Sequence, residues 1–242
     1  MTPATSGTLY LIPTPLGECT LSQILPEEVR RIAQSLEYFI AERPKTARQF
    51  LKQIGTRKPL QEINMGVLDE HTQPGQLSAL LAPLLAGQDA GLVSEAGCPA
   101  VADPGANLVR LAHQQGIRVA PLVGPSSILL GLMGSGLNGQ SFAFHGYLPA
   151  DRPGRVRRIA ELEKESARLN RTQIFIETPY RNQALFEDLL ATCNPATLLC
   201  LAIDMTLPSE TIATRSVAAW RHHPPALEKR PALFLLLAPG AR

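Results

Sequence analysis

Leu92-Val-Ser-Glu-Ala-Gly-Cys-Pro-Ala-Val-Ala-Asp-Pro-Gly105 reads as a buried strand, a loop with almost no side-chain bulk, and a helix start. Residues 89–94 are a short apolar run of the kind a parallel sheet buries on both faces. Asp103-Pro104 fits a helix N-terminus, because an Asp N-cap accepts orphan amide hydrogens and proline suits the first helical position. Between them lie Glu95, Ala96, Gly97, Cys98 and Pro99. Such a loop leaves the carboxyl end of the strand open, where ligands of open α/β sheets bind. On spacing alone, an ordinary strand-to-helix connection that needs Gly and Pro for its turns accounts for it equally well.

Working outward, strand and helix patterns alternate. Residues 8–13 and 38–41 read as strands, 26–36 and 46–54 as helices, 61–65 as a third strand, and 66–75 as a polar loop. Leu77, Leu80, Leu81, Leu84 and Leu85 lie on one face of a helix over 76–86, which Pro83 should kink or interrupt. A helix over 104–115, a strand over 117–122, a helix over 123–133 and a strand over 141–145 complete an α/β pattern. Gly134-Ser-Gly-Leu-Asn-Gly139 matches G-x-G-x-x-G, but it follows a helix and precedes a strand. A dinucleotide fingerprint needs the reverse order, so this is a helix-to-strand loop.

Residues 146–154, with two prolines and two glycines, read as a linker. After it come a charged helix over 155–169, strands over 172–177, 198–203, 211–215 and 232–237, and helices over 181–192 and 216–220. The expectation is two α/β domains, 1–147 and 148–242. The 242 residues carry a net charge of only +2, so nucleic-acid contact would rest on a local patch. No apolar run reaches membrane-spanning length and the N-terminus has no signal-peptide pattern, which makes a soluble cytoplasmic protein the expectation. Cys19, Cys98, Cys193 and Cys200 lack CxxC spacing, so neither a disulfide framework nor a metal site is expected. His222-His223 before Pro224-Pro225 reads as a loop.

Several stretches, in order, resemble the tetrapyrrole methylase superfamily. They are Leu9-Tyr-Leu-Ile-Pro-Thr-Pro-Leu-Gly17, the Ser94-to-Pro99 loop with Asp103-Pro-Gly105, and Val119-Ala-Pro-Leu-Val-Gly-Pro-Ser-Ser127. Gly146-Tyr-Leu-Pro149, Phe175-Ile-Glu-Thr-Pro-Tyr-Arg181 and Pro231-Ala-Leu-Phe-Leu235 continue the series. Each piece is weak alone; the ordered set is specific. Glu-Ala-Gly-Cys-Pro…Asp-Pro-Gly and Glu-Thr-Pro-Tyr-Arg are most similar to the branch that methylates a ribose 2′-hydroxyl of small-subunit ribosomal RNA. The porphyrin and corrin branches carry a Gly-Gly-Asp-Pro loop instead.

The resemblance implies a two-domain α/β fold of the tetrapyrrole methylase type, S-adenosylmethionine in the cleft between the domains, and a homodimer. Position by position it implies cofactor contacts at Pro15, Glu95, Ala96, Gly97, Cys98, Val101, Ser126 and Ser127, then at Glu177, Met205 or Thr206, Pro231 and Ala232. A sulfonium offers no hydrogen-bond donor on sulfur, so carbonyl oxygens and small groups suit it. A helix start at Ser126-Ser127 suits a carboxylate. A ribose hydroxyl needs its proton removed, which makes Glu42 and Glu177 candidate bases or orienters. Arg43 and Arg181 are candidate phosphate contacts, with ordinary ion pairs at strand ends as the alternative. Arg152, Arg155, Arg157 and Arg158 could hold RNA phosphates or form a solvated helix face, since Glu161, Glu163 and Glu165 dilute the patch. Cys98 reads as a small residue filling space.

The chain departs from that branch at three places. Glu42-Arg-Pro-Lys45 replaces Glu-Asp-Thr-Arg, Lys229-Arg-Pro-Ala232 replaces a segment with Gly-Glu, and Asp204 stands where a Glu is expected. The end at Arg242 implies that the branch's small C-terminal helical extension is absent. These departures keep open a tetrapyrrole or other small-molecule acceptor, and a non-catalytic binding protein that retains the fold.

Overall fold

The computed structural model describes residues 6–227 and 229–240. They divide into two compact units that meet at Ser126/Ser127.

The first unit contains β1 (Thr8–Ile12), α1 (Leu21–Ile24), α2 (Glu27–Ser35), β2 (Tyr38–Ala41), α3 (Pro44–Ile54), β3 (Asn64–Val67), α4 (Pro74–Leu85), β4 (Ala90–Val93), α5 (Ala106–Gln114) and β5 (Arg118–Pro121). Its sheet is parallel throughout, in the order β3-β2-β4-β1-β5. All four residues of β2 and of β4 are buried, as expected of strands covered on both faces. Gly91 lets β4 fit there, because a Cβ on it would stand 2.8 Å from Ile12 and Phe39.

Alternate strand residues feed two cores. Ile12, Phe39, Ala41 and Val93 pack with Leu25, Val29, Phe50 and Leu51 of the α1–α3 layer. Leu9, Ile40, Ala90 and Leu92 pack with Leu81, Leu84, Leu108 and Ala112 of α4 and α5. The helices that follow β1 and β4, which are neighbours in the sheet, therefore leave toward opposite faces. That divergence is a topological switch point, and it opens a crevice at the carboxyl ends of these two strands.

The second unit contains α6 (Ser127–Ser135), β6 (Phe142–Tyr147), α7 (Arg152–Leu169), β7 (Thr172–Ile176), α8 (Asn182–Thr192), β8 (Leu198–Ile203), β9 (Thr211–Ser216), α9 (Val217–Trp220) and β10 (Ala232–Leu237). Its sheet runs β6-β7-β10-β8-β9, with β6 and β7 parallel and the other pairs antiparallel. The central β10 stacks Phe234 on Phe175 of β7, ring centroids 5.9 Å apart. Leu162, Phe186, Leu189 and Trp220 complete that core.

The structure differs from the expected pattern in instructive ways. The linker expected at 146–154 is the end of β6, a short loop and the first turn of α7. The units divide earlier because α6 packs on the second sheet: a Cβ on Gly131 would lie 2.4 Å from Leu233, so glycine permits that approach. β6 joins the same sheet beside β7. The helix of α4 runs through Pro83, which sits in its last turn and costs at most one ladder bond. The G-x-G-x-x-G stretch connects α6 to β6, as its context requires. Residues 66–67, expected in a loop, extend β3, and α1 has too little periodicity to be anticipated.

Three of the four arginines considered for RNA make ion pairs, two of them with one buried carboxylate. The Arg155 side chain is 7% exposed and donates Nε and Nη2 to Asp188 Oδ2 at 2.8 and 2.6 Å, while Arg152 Nε reaches Oδ1 at 2.9 Å. Burial works against the Asp188 charge, yet these hydrogen bonds hold its carboxyl below the usual range. Asp188→Ala would leave the Arg155 charge buried without its counter-ion. The expected cost is about 3–5 kcal/mol in urea unfolding, against under about 1 kcal/mol for Glu161→Ala at the exposed Arg158–Glu161 pair.

Candidate functional site

At the crevice of the first unit, the loops after β1 and β4 are tied by reciprocal backbone bonds. Thr14 N–H donates to the Gly97 carbonyl at 2.9 Å, and Gly97 N–H donates to the Thr14 carbonyl at 3.1 Å. Buried Thr14 adds a hydroxyl bond to the Ser94 carbonyl at 3.2 Å, and Ser94 Oγ donates to the Gly97 carbonyl at 3.1 Å. The β5 loop joins through Cys98, whose Sγ lies 3.5 Å from the Pro125 carbonyl. Burial pushes the Cys98 thiol up and Ser126 partly offsets it, so the thiol stays protonated and packs as a small group.

Backbone strain concentrates in this loop. Gly97 has φ +78 and Gly105 φ +145, while Ala100 and Ala102 hold φ +64 and +61 despite carrying a Cβ. A Cβ on Gly97 would lie 3.3 Å from Leu16 and 3.7 Å from the Pro125 carbonyl, so glycine keeps the floor of the loop open. Such outliers persist where surrounding structure over-determines them, as at ligand clamps.

Asp103 is not the N-cap that its sequence suggests. Helix α5 begins at Ala106 behind Gly105, which leaves Asp103 in the loop. There it lines a cavity of about 410 Å³ with Asp69, Thr72, Gly105 and Asn107. Burial, then the charges of Glu42 and Glu95, push its carboxyl up to about 6, against a hydrogen bond with Ser94. Sequence reading missed Asp103 as a functional group because Asp-Pro-Gly is also an ordinary helix start. The signal that could have found it is the run of left-handed residues, invisible in the sequence except at Gly97 and Gly105. Arg43 is largely exposed, with guanidinium nitrogens 3.9 Å from both Glu42 and Glu95, too far for hydrogen bonds. Pro15 and Ala96 border the Thr14–Gly97 bridge in sequence, and exposed Val101 lies on the same loop. Ser126 follows Pro125 of the β5 loop, and Ser127 opens α6.

The second unit gathers its own set at one end of β7, β10 and β8. Leu233 pairs with Ile176 and Ala232 with Ile203, and Asp204 N–H donates to the Pro231 carbonyl at 3.0 Å. Glu177, Met205, Thr206, Pro231 and Ala232 therefore cluster as a group. The Glu177 side chain is fully buried. Its Oε1 accepts from Thr178 N at 2.6 Å and from Arg181 Nη2 and Nε at 2.7 and 3.0 Å. Arg181 is thus committed to Glu177. Glu177 Oε2, Thr206 Oγ1 and Asn182 Oδ1 are buried with no hydrogen-bond partner among the described residues, which leaves their bonding capacity open to water or a ligand. Asp204 and Thr206 hold φ +51 and +70, and Asp204 accepts from Ser209 and Arg230 at 2.8 Å each. Among the described residues no metal-binding group of His, Cys, Asp or Glu forms, and no helix is long and apolar enough to cross a membrane.

No family model matches the chain. Among curated proteins it is 34% identical over 206 residues to ribosomal RNA small subunit methyltransferase I of Escherichia coli O157:H7, covering 85% of this chain and 68% of that one. It is 33% identical over 215 residues to the protein of the same name from Xylella fastidiosa, covering 89% and 74%. Among solved structures, the methyltransferase CobJ matches with a TM-score of 0.61 at 16% identity, over 97% of this chain and 100% of that one. Uroporphyrin-III-C-methyltransferase from Thermus thermophilus matches with a TM-score of 0.53 at 18% identity, over 96% and 92%. The structural likeness establishes the fold and the sequence likeness the family: the chain belongs to the ribosomal RNA small subunit methyltransferase I family, S-adenosylmethionine-dependent enzymes on the two-domain α/β tetrapyrrole methylase fold.

Proposed function

We propose that the protein transfers a methyl group from S-adenosylmethionine to a ribose 2′-hydroxyl of small-subunit ribosomal RNA. The observation that carries this reading is the strained β4 loop, bonded to the β1 loop at the switch point, with Glu42, Glu95 and Asp103 grouped beside it. S-Adenosylmethionine, when bound, supplies an electrophilic methyl on a sulfonium. The residues fit it: the open floor at Gly97 and the carbonyls around it admit a cation close to the backbone. The reading gives Pro15, Glu95, Ala96, Gly97, Cys98, Val101, Ser126 and Ser127 to the donor. It gives Glu177, Met205, Thr206, Pro231 and Ala232 the same task from the second unit, with the orphaned Glu177 Oε2 taking a donor hydroxyl or amino group.

Methyl transfer is an in-line displacement, so positioning supplies most of the rate. The acceptor hydroxyl must also lose its proton. Asp103 suits that task, because burial, then the charges of Glu42 and Glu95, raise its carboxyl to about 6 and make it a stronger base than a free carboxylate. Arg43, which makes no close ion pair, is the phosphate contact of this reading, and Arg181 instead orients Glu177. The same reading places the protein in the cytoplasm, where small-subunit RNA is made, as a homodimer. Leu129 and Met133, 53% and 79% exposed and one turn apart on α6, are apolar surface that a second copy would cover.

The test is methyl transfer from isotopically labelled S-adenosylmethionine to small ribosomal subunits and to their naked RNA, with nuclease digestion and mass spectrometry to place the methyl. A single ribose 2′-O-methyl supports the reading; no transfer, or a methylated base, overturns it. In the same assay Asp103→Asn is expected to lose roughly 10²-fold or more in kcat, and parental activity is expected to fall below about pH 6 as the carboxyl takes its proton. Stability should move the other way. The folded-state pKa is raised, so the native protein holds the extra proton between about pH 4 and about pH 6, and the cost of the charged carboxylate grows as pH rises through that window. The urea midpoint of Asp103→Asn should therefore gain on the parent from about pH 4 to about pH 7. A constant difference across that range would refute the buried-charge account.

A further inference from the structure

The second unit also holds a cavity of about 350 Å³ whose lining includes Ala213, Arg215, Trp220, His223, Pro224 and Arg230. That volume lies within the range of small-ligand pockets. Two arginines, His223 and Thr211 are its polar members, and its other walls are apolar. The cations differ in what holds them. Arg230 is committed, donating to Asp204 Oδ2 at 2.8 Å and to the Ser209 and Ala226 carbonyls at 2.8 and 3.2 Å. Arg215 is not. Its guanidinium lies 5.1 Å above the Trp220 ring, and among the described residues no carboxylate or carbonyl lies at hydrogen-bond distance from it. Trp220 is itself fixed, with Nε1 donating to the Leu199 carbonyl at 2.7 Å and its edge against Phe186. The stack therefore holds a planar cation in one orientation with its N–H edges unspent, the arrangement that suits bidentate phosphate recognition. Among the described residues, Asp204 is engaged by Arg230 and Ser209, and Glu210 by Thr206 N–H. His223 is exposed at the rim, and Arg221 and Lys229 on the same loop are exposed too.

We propose that this cavity is an RNA subsite, with Arg215 gripping a backbone phosphate while Ala213, Pro224 and Pro225 receive the adjoining ribose. It deepens the RNA reading given above and rests on it. It also gives a use to the Trp220-Arg-His-His-Pro-Pro225 stretch, which the donor site leaves without one.

The test compares the parent with Arg215→Gln and Arg215→Lys, using a fluorescein-labelled single-stranded RNA in anisotropy titrations over a range of potassium chloride concentrations. Arg215→Gln is expected to reduce the slope of log affinity against log salt by about one, and Arg215→Lys to keep it. In the transfer assay, Arg215→Gln should raise KM for RNA about tenfold with kcat unchanged, and donor affinity by calorimetry should stay at the parental value. Parental slope and KM in Arg215→Gln overturn the subsite, and so does an equal loss in the Gln and Lys variants, which would mean that Arg215 serves only to pack on Trp220. A parent protein that neither binds nor methylates RNA overturns the substrate reading, and the subsite with it.

Discussion

The two backbone hydrogen bonds between Thr14 and Gly97 are the constraint on which the first unit's chemistry depends. They sit where the sheet order forces two neighbouring chains apart, β1 toward the α1–α3 layer and β4 toward α4 and α5. Without the bridge, the loops beyond these strands would have no reason to stay together. With it, the β4 loop is held at both ends, and its residues adopt conformations that L-amino acids avoid at Ala100 and Ala102. A loop under such constraint presents carbonyl and amide groups in fixed directions at little entropic cost on binding, which is what positioning catalysis requires.

A similar logic recurs in the second unit with different materials. There the clustering comes from strand register: β10 lies between β7 and β8, so the residues just beyond Ile176 and Ile203 and just before Ala232 share one end of the sheet. Left-handed Asp204 and Thr206 and the orphaned oxygen of Glu177 mark that end. Glu177 illustrates how one carboxylate can be divided between tasks. Oε1 takes three donors and is structural, while Oε2 keeps its acceptor capacity. The candidate site residues Thr14, Gly97, Glu177, Asp204 and Thr206 thus lie in loops at strand ends, and the strands themselves supply the rigid frame.

Much of this was legible in the chain. The run at β4, the i, i+3, i+4 leucines of α4 and the context that rejects G-x-G-x-x-G each rest on local pattern, and each led to the right element. The ordered loop motifs pointed to the family. What could not be read was whatever depends on where other segments lie. The Gly146–Gly154 stretch has the composition of a linker, but α6 leaves the first unit earlier because Gly131 allows it onto Leu233. Asp103 looks like an N-cap until Gly105 takes that place, and its raised proton affinity comes from burial first and then from Glu42, sixty-one positions away in sequence, and Glu95. Arg155 and Arg181 look like available cations on their own elements, and only the fold sets Asp188 and Glu177 against them.

The central claim is that the loop clasped at Thr14–Gly97 holds the methyl donor. The most direct measurement is a calorimetric titration of the protein with S-adenosylmethionine, repeated on Gly97→Trp. An indole at Gly97 would crowd Leu16 and the Pro125 carbonyl and meet a backbone at φ +78. The account predicts binding by the parent with a stoichiometry of about one per chain and at least about a hundredfold loss in the variant. Unchanged affinity in a folded Gly97→Trp protein would contradict it.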